Sequence, residues 1–159
     1  MNSRFISQME AILALYAKAY DQLNPVICFD ERPCFLIGDT VTPLPMSKGK
    51  SRRQNYAYEK HGSCAVLASI EPLTGRCLVH ARSNRRKIEF AQFMRDLAQM
   101  YPEAELIHVV LDNLNTHHPS AVYEAFSADE AQKLMQRVRF HYTPKSASWL
   151  NPVLSLSKG

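Results

Sequence analysis

Apolar residues recur at Ile6, Met9, Leu13, Tyr16 and Tyr20. That spacing predicts an amphipathic helix over residues 5–20. Asn24-Pro25 closes the segment. The run "VICFDE" is apolar without interruption until Asp30 and Glu31, which suits a strand buried on both faces. An irregular stretch rich in Pro, Lys and Arg is expected over about residues 32–63. "CAVLASI" and "RCLVHAR" read as two strands, joined through the Pro- and Gly-bearing "EPLTG" as a hairpin. "KIEFAQFMRDLAQMY" spaces Ile88, Ala91, Met94, Ala98 and Tyr101 along one helical face, and Pro102 stops it. "LIHVVLDN" is a second buried strand, ending at Asp112. His118-Pro119 opens a short helix. "SADE" fits a capping box between Ser127 and Glu130. Ala131, Leu134, Met135 and Val138 carry that helix forward, and "RVRFHY" reads as the last strand.

Strands and helices therefore alternate in a way that predicts an α/β domain with a central mixed sheet. The strand–helix–strand pieces call for some parallel pairing with right-handed crossovers. The 159 residues suffice for one core, and 46% hydrophobic with 21% charged residues is ordinary for a globular chain. No apolar run approaches the roughly 20 residues of a membrane span, so no membrane partner is expected. The N-terminal segment carries Glu10 and no small-residue cleavage site, unlike a signal peptide. A reducing cytoplasm is the expected compartment. Cys28, Cys34, Cys64 and Cys77 include no C-x-x-C pair. They read as reduced, small apolar residues.

The net charge of +4 says less than its distribution. Lys48, Lys50, Arg52, Arg53 and Lys60 cluster against Glu59 alone, and Arg82, Arg85, Arg86 and Lys87 form a second group. Such patches can neutralise phosphates and release counterions, or simply solvate loops.

Asp30 and Asp112 share a context, each following a buried apolar run. If their strands are neighbours, the carboxylates converge where ligands bind such sheets. Converging carboxylates repel unless a cation lies between them, and Mg²⁺ suits oxygen donors of this kind. Taken singly, each Asp also fits a turn or a helix cap. His117 and His118 fit either a capping or surface role or a ligand role.

"CFDERP", "RRQNYAYEKHGS", "VLDNLNTHHP" and "HYTPKSASWLN" occur in the order seen in bacterial insertion-sequence transposases of the mariner superfamily, which this chain resembles from about Pro25 to Val153. The resemblance implies a DDE catalytic domain of ribonuclease-H-like fold: a mixed sheet flanked by helices. Residues 1–24 would be an N-terminal helix and linker, 25–153 the catalytic domain, and 154–159 a tail outside the family pattern. The resemblance makes Asp30 and Asp112 the first two metal-binding, catalytic aspartates. Asn113 and His117 would support the second motif. It implies two Mg²⁺ or Mn²⁺ ions that cleave and transfer DNA strands. The basic stretches would bind DNA, at transposon ends and target, beside the nucleoid. A homo-oligomer, or association with a full-length transposase, is also implied.

The chain departs from that pattern in two places. Only about 24 residues precede the first predicted strand, too few for the helix-turn-helix modules such transposases carry. The family places a glutamate three residues after the Asn of Trp-Leu-Asn. Here Trp149-Leu150-Asn151 leads to Leu154, which cannot ligate a metal, and the C-terminal helix bearing that acid is expected to be missing. Impaired catalysis is the expectation. The alternative is a non-catalytic remnant that binds DNA or another subunit.

Overall fold

The computed structural model describes residues 2–39, 58–83, 87–145, 147 and 150–153, with backbone only for 34–39 and 58–63. Its strands are β1 (Val26–Asp39), β2 (Tyr58–Ile70), β3 (Cys77–Arg82), β4 (Ile107–Leu111) and β5 (Val138–Tyr142). Its helices are α1 (Ser3–Tyr16), α2 (Lys87–Met100), α3 (Pro119–Ala125) and α4 (Ala128–Arg137). The strands form one mixed sheet in the order β3-β2-β1-β4-β5. β1, β2 and β3 pair antiparallel, whereas β1–β4 and β4–β5 are parallel. The expected hairpin turns at Gly75, where φ is +76°, a value that favours glycine.

Strand alternation sends successive side chains of β1 to opposite layers. Ile27 and Phe29 enter the main core with Phe90, Phe93, Met94 and Leu97 of α2. Cys28 enters a second core with Ile12 and Leu15 of α1, Val110, Leu150 and Val153. Each large apolar side chain buried this way contributes roughly 1.5–3 kcal/mol of transfer free energy.

Several expectations need correction. β1 does not finish at Asp30 and Glu31; it runs on to Asp39, and 58–63 extend β2, so much of the stretch expected to be irregular is a long antiparallel ribbon. α1 ends at Tyr16 and turns a different stripe inward. Ile12 and Leu15 are buried, with Phe5, Met9 and Tyr16 beside them, while Ile6, Leu13 and Tyr20 are exposed. The helix carries two apolar stripes, and spacing alone does not say which one meets the sheet. In α2, Ile88 likewise faces outward while Phe90 and Phe93 fill the core. Cys64 is disulfide-bonded rather than reduced, and Cys34 stands opposite it in the β1–β2 register. Cys28 and Cys77 are free thiols.

Of the expected capping box, the N-cap half is present as a hydrogen bond from the Glu130 amide to Ser127 Oγ, 3.3 Å. Near the C-terminus, Asn151 Oδ1 accepts from the Val153 amide at 3.1 Å. Position 154 and the expected absence of a C-terminal helix lie outside the described residues. No helix among the described residues is long and apolar enough to cross a membrane.

Candidate active site

The parallel pairing of β1 with β4 aligns Cys28 with Val110. Two residues further on, the same alignment sets Asp30 beside Asp112. Asp30 lies within β1, opposite Ala68 of β2, rather than at a strand end, while Asp112 is the first residue past β4. Burial holds the Asp30 carboxyl above its ordinary range, Arg32 draws it back down, and the neighbouring negative charge of Asp112 pushes it up again. Arg32, two residues along the same face, donates from Nε to Asp30 Oδ2 at 2.8 Å.

His117 is neither a surface group nor a helix cap. It is fully buried in the loop between β4 and α3. Its Nδ1 lies 2.6 Å from Asp112 Oδ1 and its Nε2 lies 2.7 Å from Glu31 Oε2. The ring stacks on Phe90 at 4.9 Å and meets Phe29 edge-on at 5.1 Å. Burial alone would lower its pKa. The hydrogen bonds to Asp112 and Glu31 outweigh burial and raise it to about 9. Tyr142 Oη donates to the His117 carbonyl at 2.7 Å and so holds the loop against β5. His118 sits at the N-cap of α3 without a side-chain capping bond.

A cleft of ≈ 660 Å³ opens over Asp112. Asn113 lines it, exposed, together with Arg4 from α1 and Lys145 beyond β5. Lys48, Lys50, Arg52, Arg53, Arg85 and Arg86 lie outside the described residues, and Lys60 is described by its backbone alone. Three residues at the site escape a reading by sequence signal. Glu31 was masked by its position next to Asp30. Arg4 and Lys145 are single charges far apart in the chain. A larger and more apolar cavity lies at the other end of the sheet, lined by Lys18, His108 and Arg139, and contains neither Asp30 nor Asp112.

The donors present suit a hard divalent cation: two carboxylates on neighbouring strands, with Asp30 raised chiefly by burial and slightly by the charge of Asp112. His117 Nδ1 bonds Asp112 Oδ1, and Asp30 accepts from Arg32 at Oδ2 and from the Glu31 amide. No group of three or more His, Cys, Asp or Glu side chains able to hold a metal occurs among the described residues.

A five-stranded mixed sheet in the order β3-β2-β1-β4-β5, flanked by helices, is the ribonuclease-H-like fold. The model of the DDE superfamily endonucleases matches residues 25–156, and the chain belongs to that family. Two solved structures share the fold. The Mos1 mariner paired end complex with Mn aligns with a TM-score of 0.58 at 14% identity, over 100% of this chain and 49% of that one. The Mos1 strand transfer complex aligns with a TM-score of 0.56 at 14% identity. The chain thus spans about half the length of those transposase chains. No curated protein sequence matches it.

Proposed function

We propose that this chain is a transposase catalytic domain of the bacterial insertion-sequence kind, built for metal-dependent cleavage and transfer of DNA strands, with impaired catalysis. The observation that supports the reading is the parallel β1–β4 pair, which brings the strands carrying Asp30 and Asp112 side by side, with a cleft opening at Asp112. In this reading Asp30 and Asp112 present oxygens toward Mg²⁺ or Mn²⁺. A divalent metal, when bound, supplies charge neutralisation at the scissile phosphate and activation of the attacking water or 3′-hydroxyl. Arg32 neutralises Asp30 before binding and gives way on binding. His117 holds Asp112, and Asn113 stands beside it on the cleft wall. Arg4 and Lys145 attract the DNA backbone into the cleft, and the basic stretch around Lys48, Lys50, Arg52, Arg53 and Lys60, with Arg85 and Arg86, extends the contact. Transposon ends and target DNA are the partners in this reading, met as a homo-oligomer at the nucleoid.

Impairment follows from Leu154. The segment after Asn151 leads to the position of the third acid, and leucine offers no oxygen. The same residue favours a second reading: a non-catalytic partner that binds DNA or a full-length transposase.

The test is strand nicking of duplex DNA carrying the element's ends, in Mn²⁺. The expected result is little cleavage by the natural chain, more by Leu154→Glu, and none by Leu154→Glu combined with Asp112→Ala. Robust cleavage by the natural chain that Asp112→Ala abolishes would overturn the impairment. Leu154→Glu without cleavage, but with DNA binding retained, would favour the non-catalytic partner.

A further inference from the structure

We infer that Glu31 is a positioning residue for Asp112, acting through His117. The inference rests on the reading of Asp112 as a metal-binding carboxylate. Asp112 stands one residue beyond β4, at the start of a loop, so no ladder fixes its side chain. His117 is what fixes it. The Nδ1 contact of 2.6 Å ties Oδ1 of a carboxylate whose residue lines the cleft.

The ring can do this only if it is itself immobile. Phe90 stacked on one side and Phe29 edge-on set its plane. They do not prevent a ring flip, which preserves the plane but puts Cδ2 in place of Nδ1 and Cε1 in place of Nε2. Glu31 opposes it, since Oε2 accepts from Nε2 at 2.7 Å, a bond the flipped ring would lose along with the one to Asp112. Glu31 is well placed as an anchor. It lies in the central strand β1, paired with Leu67 of β2, and is buried. Strand alternation thereby divides two consecutive acids. Asp30 faces the metal side, and Glu31 faces the opposite layer and orients Asp112 from beneath. Partners of this outer kind, when removed, typically cost about 10–100-fold in metal affinity.

The experiment compares the full chain with Glu31→Gln, Glu31→Ala and Asp112→Asn. It reads Mn²⁺ affinity by calorimetry, and the Asp112 carboxyl carbon and His117 ring N–H signals by NMR without metal. Expected are a Mn²⁺ affinity about tenfold weaker in Glu31→Gln and weaker still in Glu31→Ala. In Glu31→Gln, the isosteric variant that is read if Glu31→Ala fails to fold, the Asp112 carboxyl and His117 Nε2–H signals also move. A Glu31→Gln protein with unchanged Mn²⁺ affinity and an unmoved Asp112 signal overturns the inference. Equal Mn²⁺ binding by the natural chain and Asp112→Asn overturns the metal reading instead, while the metal-free Asp112 signal still reports on positioning.

Discussion

His117 and Glu31 lie 86 positions apart in sequence, yet their side chains meet at 2.7 Å inside the core. The contact ties the loop after β4 to the central strand. Replacing His117 by Phe keeps a ring between Phe90 and Phe29 but leaves the Glu31 carboxylate without this donor. Removing one partner of a buried pair costs roughly 3–5 kcal/mol. His117→Phe is therefore expected to lower unfolding free energy by about 3 kcal/mol, measured by urea denaturation. A loss below about 1 kcal/mol would show that ring packing, not the hydrogen bonds, holds the loop.

The thiols should differ sharply in reactivity. Cys28 is buried with its Sγ 3.3 Å from Tyr16 Oη, and burial, partly offset by that contact, raises its pKa to about 11. Cys77 is exposed on β3. Since the thiolate is the reactive form, a thiol reagent at pH 8 should label Cys77 quickly and Cys28 only through unfolding. Cys77→Ser should remove the fast phase, and a fast phase that survives this substitution would contradict the assigned burial of Cys28.

Much of this architecture was legible because burial on both faces leaves a plain mark. The apolar runs ending near Asp30 and Asp112 predicted two buried strands but made their adjacency only a condition, and β1 and β4 are neighbours. The hairpin, the Ser127 N-cap and the Pro119 helix start follow from local chemistry that tertiary packing does not override. What failed depended on facing. α1 offers two apolar stripes, and the sheet took the one containing Ile12. The continuation of β1 past Glu31 was hidden by Arg32 and Pro33, because a proline within a run argues against a strand. Once β1 is extended, alternation alone assigns Asp30 and Glu31 to opposite layers. The meeting of Glu31 with His117 is a long-range contact that no local pattern encodes.

Acid should weaken the far end of the sheet. His108 Nδ1 and His141 Nε2 lie 2.8 Å apart across β4 and β5. Burial is the leading cause that lowers the His141 pKa, to about 4, followed by the positive fields of His108, Arg139 and Lys18. A folded pKa depressed below the ordinary 6.5 means that the unfolded chain binds the proton more readily. This pair's contribution is therefore intact above about pH 6.5 and is lost as pH falls toward 4. His141→Gln should flatten the stability profile over that window, as read by thermal midpoints from pH 7 to 4.5. An unchanged slope would show that other groups govern it.

Asn151 joins the C-terminal segment to the strand that carries Asp30. Its Nδ2 donates to the Phe29 carbonyl at 2.6 Å, and its Oδ1 accepts from the Val153 amide at 3.1 Å, all in a buried setting. The first bond fixes the segment against β1, one residue before Asp30. The second fixes the backbone of Val153 against the Asn151 side chain. Asn151→Asp keeps shape and the acceptor but loses the donor, and it faces a carboxylate with the Phe29 carbonyl. An unsatisfied buried polar group costs about 1–3 kcal/mol, more when charged. Asn151→Asp should therefore destabilise by at least about 2 kcal/mol, and more at pH 7 than at pH 4, where the acid can regain a proton and donate. Asn151→Ala loses both bonds but buries no charge, so it should be less pH-dependent. In a Leu154→Glu background either substitution should also reduce any restored cleavage, because Asn151 is what anchors the segment carrying the new acid to β1. Full cleavage with a displaced segment would show that the third acid tolerates more freedom than this anchoring implies.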